Sequence, residues 1–278
     1  MAKKILLMAL AILLSGAGAA PAAEMGGSYY FLKKGMFEIS VQGSYVNEQK
    51  MKDTTLTANS TTGNIIAPKT GVKLKQDTHM GVIVAYGLHD RVTIWAELGA
   101  ATDGRLSGDI TVPGVSGTFQ VEGALENVFT WGLGIKARLY QYKKKKGFGV
   151  AASLRYFRYD DRPLDSWSVT GGGADTTGLT TDTQYSFWQA DATISAYWKF
   201  KHLVPYIGAR YSYAEGSLTG SWNLPGTANG SVDSDYEPEM ELGFFAGVDF
   251  HFYKHWRLNL QGNFYNTTAL LVSGSYIF

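Results

Sequence analysis

Residues Thr268–Phe278 read TALLVSGSYIF, apolar side chains alternating with small or polar ones up to a terminal aromatic. Successive side chains of a strand point to opposite faces, so Leu270, Val272, Gly274, Tyr276 and Phe278 share one face. A strand leaves unpaired backbone groups along any uncovered edge, and closing the sheet on itself removes every edge. This segment therefore calls for partners on both sides.

Nine further segments have the same period of two. Trp256 to Tyr265 sets Leu258, Leu260 and Phe264 against Arg257, Asn259, Gln261 and Asn263, and Glu241 to Phe252 sets Phe244, Val248 and Phe250 against Asp249 and His251. Pro205 to Ala214 sets Ile207, Tyr211 and Tyr213 against Arg210 and Ser212; Phe187 to Phe200 sets Ala192, Ile194 and Ala196 against Gln189, Asp191, Ser195 and Lys199. In Phe148 to Tyr159, Val150, Leu154 and Tyr156 oppose Ser153 and Arg155; in Asn127 to Tyr140, Phe129, Leu133 and Ile135 oppose Thr130, Gly132, Gly134, Lys136 and Arg138. Arg91 to Ala100 aligns Val92, Ile94 and Leu98 away from Glu97, and Asp77 to Leu88 aligns Met80, Val82, Val84 and Tyr86. Met36 to Val46 sets Phe37, Ile39, Val41 and Tyr45 against Glu38, Ser40, Gln42 and Ser44.

The connections alternate in length. Those from Val46 to Gln76, Ala101 to Glu126, Asp160 to Gln184 and Glu215 to Met240 are long, the even-numbered ones are tight turns, and Asn266-Thr267 is a brief exception among the long class. Thr111 to Val121 reads as a hairpin extension, not as added wall strands. The fold class is all-β: a transmembrane antiparallel up-and-down barrel of about ten strands, apolar face to lipid and polar face to lumen. Aromatics sit at the ends of the apolar faces, with small residues between; Trp188 and Trp198 bracket Ala190 to Ala196. Trp131, Trp188, Trp198, Tyr211, Trp256 and Tyr276 are the expected interfacial set. A soluble sandwich or lipocalin-like barrel would turn its apolar face inward and leave the polar row on nearly every strand unexplained.

The bulk numbers agree. Lys3 and Lys4, the apolar run Ile5 to Leu14 and the small residues Ser15 to Ala23 read as a secretory signal over 1–22, cleaved between Ala19 and Ala23, leaving 23–278 as one barrel domain. Without Lys3 and Lys4 the 25 basic residues fall just below the 24 acidic ones, which gives nucleic-acid binding no support. There is no cysteine for a disulfide or a lipid anchor, and no later apolar run is long enough for a membrane helix.

With its final amphipathic strand ending at Tyr276 and Phe278, the chain resembles the small porin-like outer-membrane barrels broadly grouped with OmpA, OmpX and OmpW. The resemblance covers the mature chain and is architectural. It implies location in the cell outer membrane with both termini periplasmic, contact with membrane lipid and lipopolysaccharide, and recognition of the C-terminal strand by the barrel-assembly machinery. Lys50, Lys52, Lys69, Lys73 and Lys75 in the first long connection are candidates to meet lipopolysaccharide phosphates, and the connection from Glu215 to Met240 is acidic. Nothing fixes an oligomeric state.

The expected lumen carries both signs: Glu38, Glu97, Lys136, Arg138, Arg155, Asp191, Lys199, Arg210, Asp249, His251 and Arg257. Charges inside a low-dielectric wall need partners or water. Register suggests Asp249 or His251 beside Arg257, and Arg155 diagonal to Asp191. Two readings follow: a salt-bridged plug, or a narrow polar path for small hydrophilic solutes. A third is enzymatic. Asp77 and His79 at one strand mouth and Asp233 and Asp235 in the fourth long connection resemble, in reverse chain order, the Asp-His and Asp-Asp pairs of omptin proteases, which would activate a water. The sequence favours a non-enzymatic envelope or surface-interaction protein, with no cofactor and no metal site.

Overall fold

The computed structural model describes residues 31–50, 52, 54–60, 63–111, 118–142, 147–170, 180–224, 228–237, 242–265 and 267–278. The segment read as a secretory signal and the basic turn Lys143 to Lys146 lie outside them.

Among the described residues the regular structure is all strand: β1 (Phe37–Lys50), β2 (Thr54–Ser60), β3 (Gly63–His89), β4 (Val92–Thr102), β5 (Arg105–Thr111), β6 (Thr118–Leu125), β7 (Val128–Gln141), β8 (Gly147–Thr170), β9 (Thr180–Lys199), β10 (Leu203–Leu224), β11 (Ala228–Tyr236), β12 (Leu242–Phe252), β13 (Trp256–Phe264) and β14 (Thr267–Ile277). Ten of them make a closed antiparallel barrel in the order β1-β3-β4-β7-β8-β9-β10-β12-β13-β14. The terminal strand closes the ring, with Val41 opposite Gly274 and Leu260 opposite Val272. Followed once around the wall, the register returns to β1 displaced by about twelve residues, a stagger that goes with strongly tilted strands.

The long connections differ from the sequence expectation of loops. Most of their length is strand. β8 runs on to Thr170 and β9 begins at Thr180, so one hairpin carries the wall outward; β5 and β6 form a second, β2 with β3 a third and β10 with β11 a fourth. These hairpins pair with one another, β3 with β5, β6 with β8 and β11 with β2, prolonging the sheet beyond the ten-strand ring. The barrel thus has a hairpin end and an opposite turn end.

The outer wall is apolar where lipid would meet it. Val82, Val84, Leu98, Leu133, Leu154, Ile194, Ile207 and Leu270 are all exposed large hydrophobics. Aromatic clusters edge this band. Trp131, Tyr156, Trp188 and Tyr213 form a continuous ring contact toward the hairpin end; Phe148 with Trp198, and Trp256 with Tyr276 and Phe278, do so toward the turn end. On β8 the stretch from Phe148 to Tyr156 rises roughly 20 Å at the usual barrel tilt, near the height of a membrane barrel's apolar band.

Inward glycines make room for inward rings. A Cβ on Gly134 would fall 2.1 Å from the Trp95 ring, and one on Gly149 would fall 2.2 Å from Tyr197. The glycine row on the lumen face is therefore spatial: Gly134 and Gly149 each seat an aromatic from the neighbouring strand, and Gly132 leaves room for the Glu97 carboxylate.

Candidate functional site

Inside the ring the side chains form three levels. The middle level is polar. Opposite each other on β8 and β9, Arg155 and Asp191 form an ion pair at 3.5 Å, and Arg155 Nη2 also donates to Glu97 Oε1 at 2.8 Å. Asp191 Oδ1 accepts from Gln189 Nε2 and from Ser212 Oγ, each at 2.6 Å, with Arg210 Nε 4.0 Å away. Across the lumen Arg257 pairs with Glu38, which also accepts from Ser40 Oγ at 3.1 Å. Asn259 Nδ2 donates to Asp249 Oδ1 at 2.5 Å and to the Tyr206 hydroxyl at 2.8 Å; that hydroxyl donates to Gln261 Oε1, and Gln261 donates on to Asn263. Each carboxylate lies where burial would otherwise expel its charge, so the pairs compensate the loss of water.

The expected lumen set thus divides. Glu38, Glu97, Lys136, Arg155, Asp191, Arg210, Asp249 and Arg257 are buried inside the ring; Arg138, Lys199 and His251 are half-buried nearer the turn end. Register opposes His251 to Arg257, but the Arg257 ion pair is with Glu38 on β1, and Asp249 is met by Asn259. A guanidinium at the end of a long side chain reaches over β14, whose small Ser275 at this level leaves the way open.

Above the polar level sits an apolar collar that the sequence reading missed. Leu74, Leu106, Leu125, Phe157, Tyr159, Leu164, Tyr185, Phe187 and Leu218 point inward and are buried together. The Phe157 ring lies 4.6 Å from the Arg155 guanidinium and meets the His79 ring edge-on at 5.3 Å, so it caps the charged level. Enclosed by this collar is a further ion pair, Arg162 Nη1 to Asp77 Oδ1 at 2.7 Å, both side chains at 0% exposure. Arg162 Nε also donates to the Glu126 carbonyl at 2.6 Å. The residues just before the two charged groups, Gln76 and Asp161, have positive φ of 47° and 51°, and β8 slips register between Tyr159 and Arg162. These bulges aim Asp77 and Arg162 at each other.

The residues considered for catalysis do not converge. Asp77 is locked on Arg162, and His79 Nε2 is hydrogen-bonded to Thr130 Oγ1 at 2.6 Å. Asp233 and Asp235 are exposed on β11, where Asp233 is opposite Thr57 and Thr57 opposite Ile66. From Ile66 to Asp77 along β3 is roughly 35 Å.

The third level closes the turn end. Phe31 and Leu32, preceding β1, are buried within the mouth; Leu32 packs with Ile83, Trp95 and Ile277, and Phe31 with Ala151, Tyr197 and Tyr206.

A closed antiparallel ring, an apolar outer band edged by aromatics and a polar interior meet every requirement for spanning a bilayer with strands. The fold is that of an outer-membrane β-barrel. No family model and no curated protein matches the chain. Among solved structures it is similar to the outer membrane protein OprG from Pseudomonas aeruginosa, at 15% identity over 90% of this chain and 98% of that one, with a TM-score of 0.46. It is also similar to the outer membrane protease OmpT from Escherichia coli (11% identity, 87% and 97% covered, TM-score 0.47) and to Ail from Yersinia pestis (10%, 88% and 99%, 0.31). Likeness at this level is one of barrel architecture.

Proposed function

We propose that this protein is a non-enzymatic outer-membrane barrel with a closed lumen, both termini in the periplasm and its working surface on the hairpins outside. One observation carries the reading: three stacked levels of buried side chains, the Phe31–Leu32 mouth, the Arg155–Glu97–Asp191 network and the collar around Phe157, occupy the interior from end to end. An interior packed in this way supports a structural or surface-interaction role. The separation of Asp77 and His79 from Asp233 and Asp235 weighs against hydrolysis at that constellation. Outside, Lys50 and Lys75 stand on strands that leave the apolar band, where lipopolysaccharide phosphates are the natural counter-charge, beside Lys52 and Lys73, which are paired with Glu237 and Glu48. The C-terminal strand remains the proposed handle for the assembly machinery.

A second reading, a narrow polar path, has one observation in its favour. Gln42 Nε2, Glu97 Oε2 and Gln189 Oε1 are buried in the middle level without a hydrogen-bond partner, and such atoms usually hold water. Planar-bilayer recording on folded, heat-modifiable protein separates the two. The closed barrel gives no discrete current; steps that change on Arg155→Ala or Arg210→Ala would replace it with the path.

A further inference from the structure

The turn end carries a feature that the closed lumen does not use. A cavity of about 580 Å³ opens beside the docked N-terminal segment, bounded by that segment, the β3–β4 turn, the end of β7 and the end of β9. Its walls bring together Lys33, Arg91, Arg138 and Lys199, with Phe31 and Tyr140 as the apolar sides. Among the described residues the lining holds one acid, Asp90, whose carboxylate already accepts the Lys34 backbone N–H at 3.0 Å. That hydrogen bond, outside the apolar band, keeps the Asp90 pKa below the usual carboxylate value. Four cations from four separate elements against one engaged carboxylate leave a concave, positively charged hollow.

The hollow is built. The N-terminal segment is strapped to the turn by Gly35 N donating to Gly87 O at 2.8 Å and Gly87 N donating to Met36 O at 2.9 Å. A Cβ at Gly87 would lie 2.1 Å from the Lys33 carbonyl oxygen, so only glycine lets the segment lie so close. β3 and β7 each slip register at this rim, between Gly87 and His89 and between Arg138 and Tyr140. Bulges at a barrel rim turn side chains out of the regular alternation, and here they turn them toward one hollow. The Arg138 guanidinium lies 4.5 Å from the Phe31 ring centre and is hydrogen-bonded to the Tyr197 hydroxyl, while its buried Nε makes no hydrogen bond. A planar fork of donors with a ring beside it suits an oxyanion attached to an apolar body.

We propose that this cavity binds a phosphate-bearing anion with an apolar body, its phosphate between Arg138, Lys199, Arg91 and Lys33 and its body against Phe31 and Tyr140. A phosphate monoester, close to doubly charged near neutral pH, matches the cationic excess better than a single carboxylate, and a phospholipid phosphodiester brings one charge on the same oxyanion geometry. The same chemistry is offered by a soluble phosphate ester and by an anionic phospholipid headgroup at the membrane surface.

Isothermal titration of the full folded chain in phosphatidylcholine nanodiscs at low salt, with phenyl phosphate as the probe, tests the site. Saturable one-site binding is expected, weaker for inorganic phosphate, undetectable for neutral benzyl alcohol, and reduced when salt rises to physiological strength or above. Arg138→Gln should weaken it about tenfold. Lys33→Gln, on an exposed residue with no bearing on barrel closure, should weaken it a few-fold. Nanodiscs containing phosphatidylglycerol distinguish the sources: lost phenyl phosphate binding there assigns the site to a lipid headgroup, and unchanged binding assigns it to a soluble ester. No saturable binding in phosphatidylcholine, or binding that neither substitution alters in protein still folded by heat-modifiability, would overturn the proposal.

Discussion

Leu154 and Arg158 lie four residues apart on the outer face of β8, both exposed, one in a field of apolar side chains and the other paired with Asp160. Their inward neighbours differ in the opposite sense: Arg155 in the charged level, Phe157 and Tyr159 in the collar. Within one turn of the pleat the wall changes from apolar outside and polar inside to polar outside and apolar inside. The same exchange occurs on β9, where Asp191 and Ser195 give way inward to Phe187 and Tyr185, and on β3, where Leu74 is buried between half-exposed Lys73 and Lys75. Physical chemistry supplies the reason. Where lipid surrounds the barrel, apolar side chains belong outside and the polar ones collect in the lumen; where the wall rises into water, the solvent is outside and the barrel takes the pattern of a soluble β-protein. The exchange therefore marks the membrane surface from within the sequence.

The largest effect that separates the two regions is expected at the collar's enclosed pair. Arg162→Leu leaves Asp77 charged among apolar rings and should cost about 3–5 kcal/mol in urea unfolding of the folded barrel, with Asp77→Leu added on top restoring much of it. Arg155→Leu should cost less, because Asp191 keeps Gln189, Ser212 and Arg210 as polar neighbours at the middle level. If the two single substitutions cost the same, the collar is wetter than its packing implies.

Next in size is the collar itself. Phe157→Ala removes the ring between Arg155, His79 and Tyr159 and should lower stability by about 3 kcal/mol, read from the same unfolding transition. A loss well under 1 kcal/mol would mean that the hairpin-end interior is loosely packed and that the contrast with the middle level is one of composition alone.

The membrane boundary is sharpened by a matched pair on the outer face. Leu154→Arg places a charge in the apolar band and should cost about 2 kcal/mol or more; Gln184→Arg, exposed on the prolonged sheet, should change stability by no more than about 0.5 kcal/mol. Equal costs would move the boundary that the exchange of faces defines.

The ring was legible because its signal is local. Alternation such as that of Trp256 to Phe264 needs no knowledge of partners, and the closing strand declares itself through the edge it would otherwise leave. The hairpins were harder. Their strands alternate too, but with the inside and outside exchanged: Tyr185 and Phe187, in step with the lumen residues Gln189 and Asp191, are core, whereas the sequence reading begins the wall at Phe187 and takes the polar, glycine-rich stretches beyond it as loops. Site contacts were legible only where register nearly decides them, as for Arg155 and Asp191, expected on a diagonal and found directly opposed on adjacent strands. Arg257 with Glu38 and Arg162 with Asp77 depend on the reach of a guanidinium past intervening strands and, for the second pair, on two bulges, neither of which is written in a period of two.

The smallest effect should come from the charge that marks the outer side of the boundary. Arg158 and Asp160 are 2.5 Å apart, and that hydrogen bond, with a second donated to the Tyr156 oxygen, holds the guanidinium protonated even more firmly than is usual for arginine. No stability follows from that shift, since the group is charged at every working pH in the folded and unfolded states alike. Both side chains are 44% exposed, so water and salt screen the pair and each side chain gives up rotamer freedom to form it. Arg158→Ala should accordingly cost no more than about 0.5–1 kcal/mol, shrinking further as salt is raised. Set beside Arg162→Leu four positions along the same strand, it compares two arginine–aspartate pairs of nearly equal length. Their difference in cost measures what enclosure by the collar adds to an ion pair.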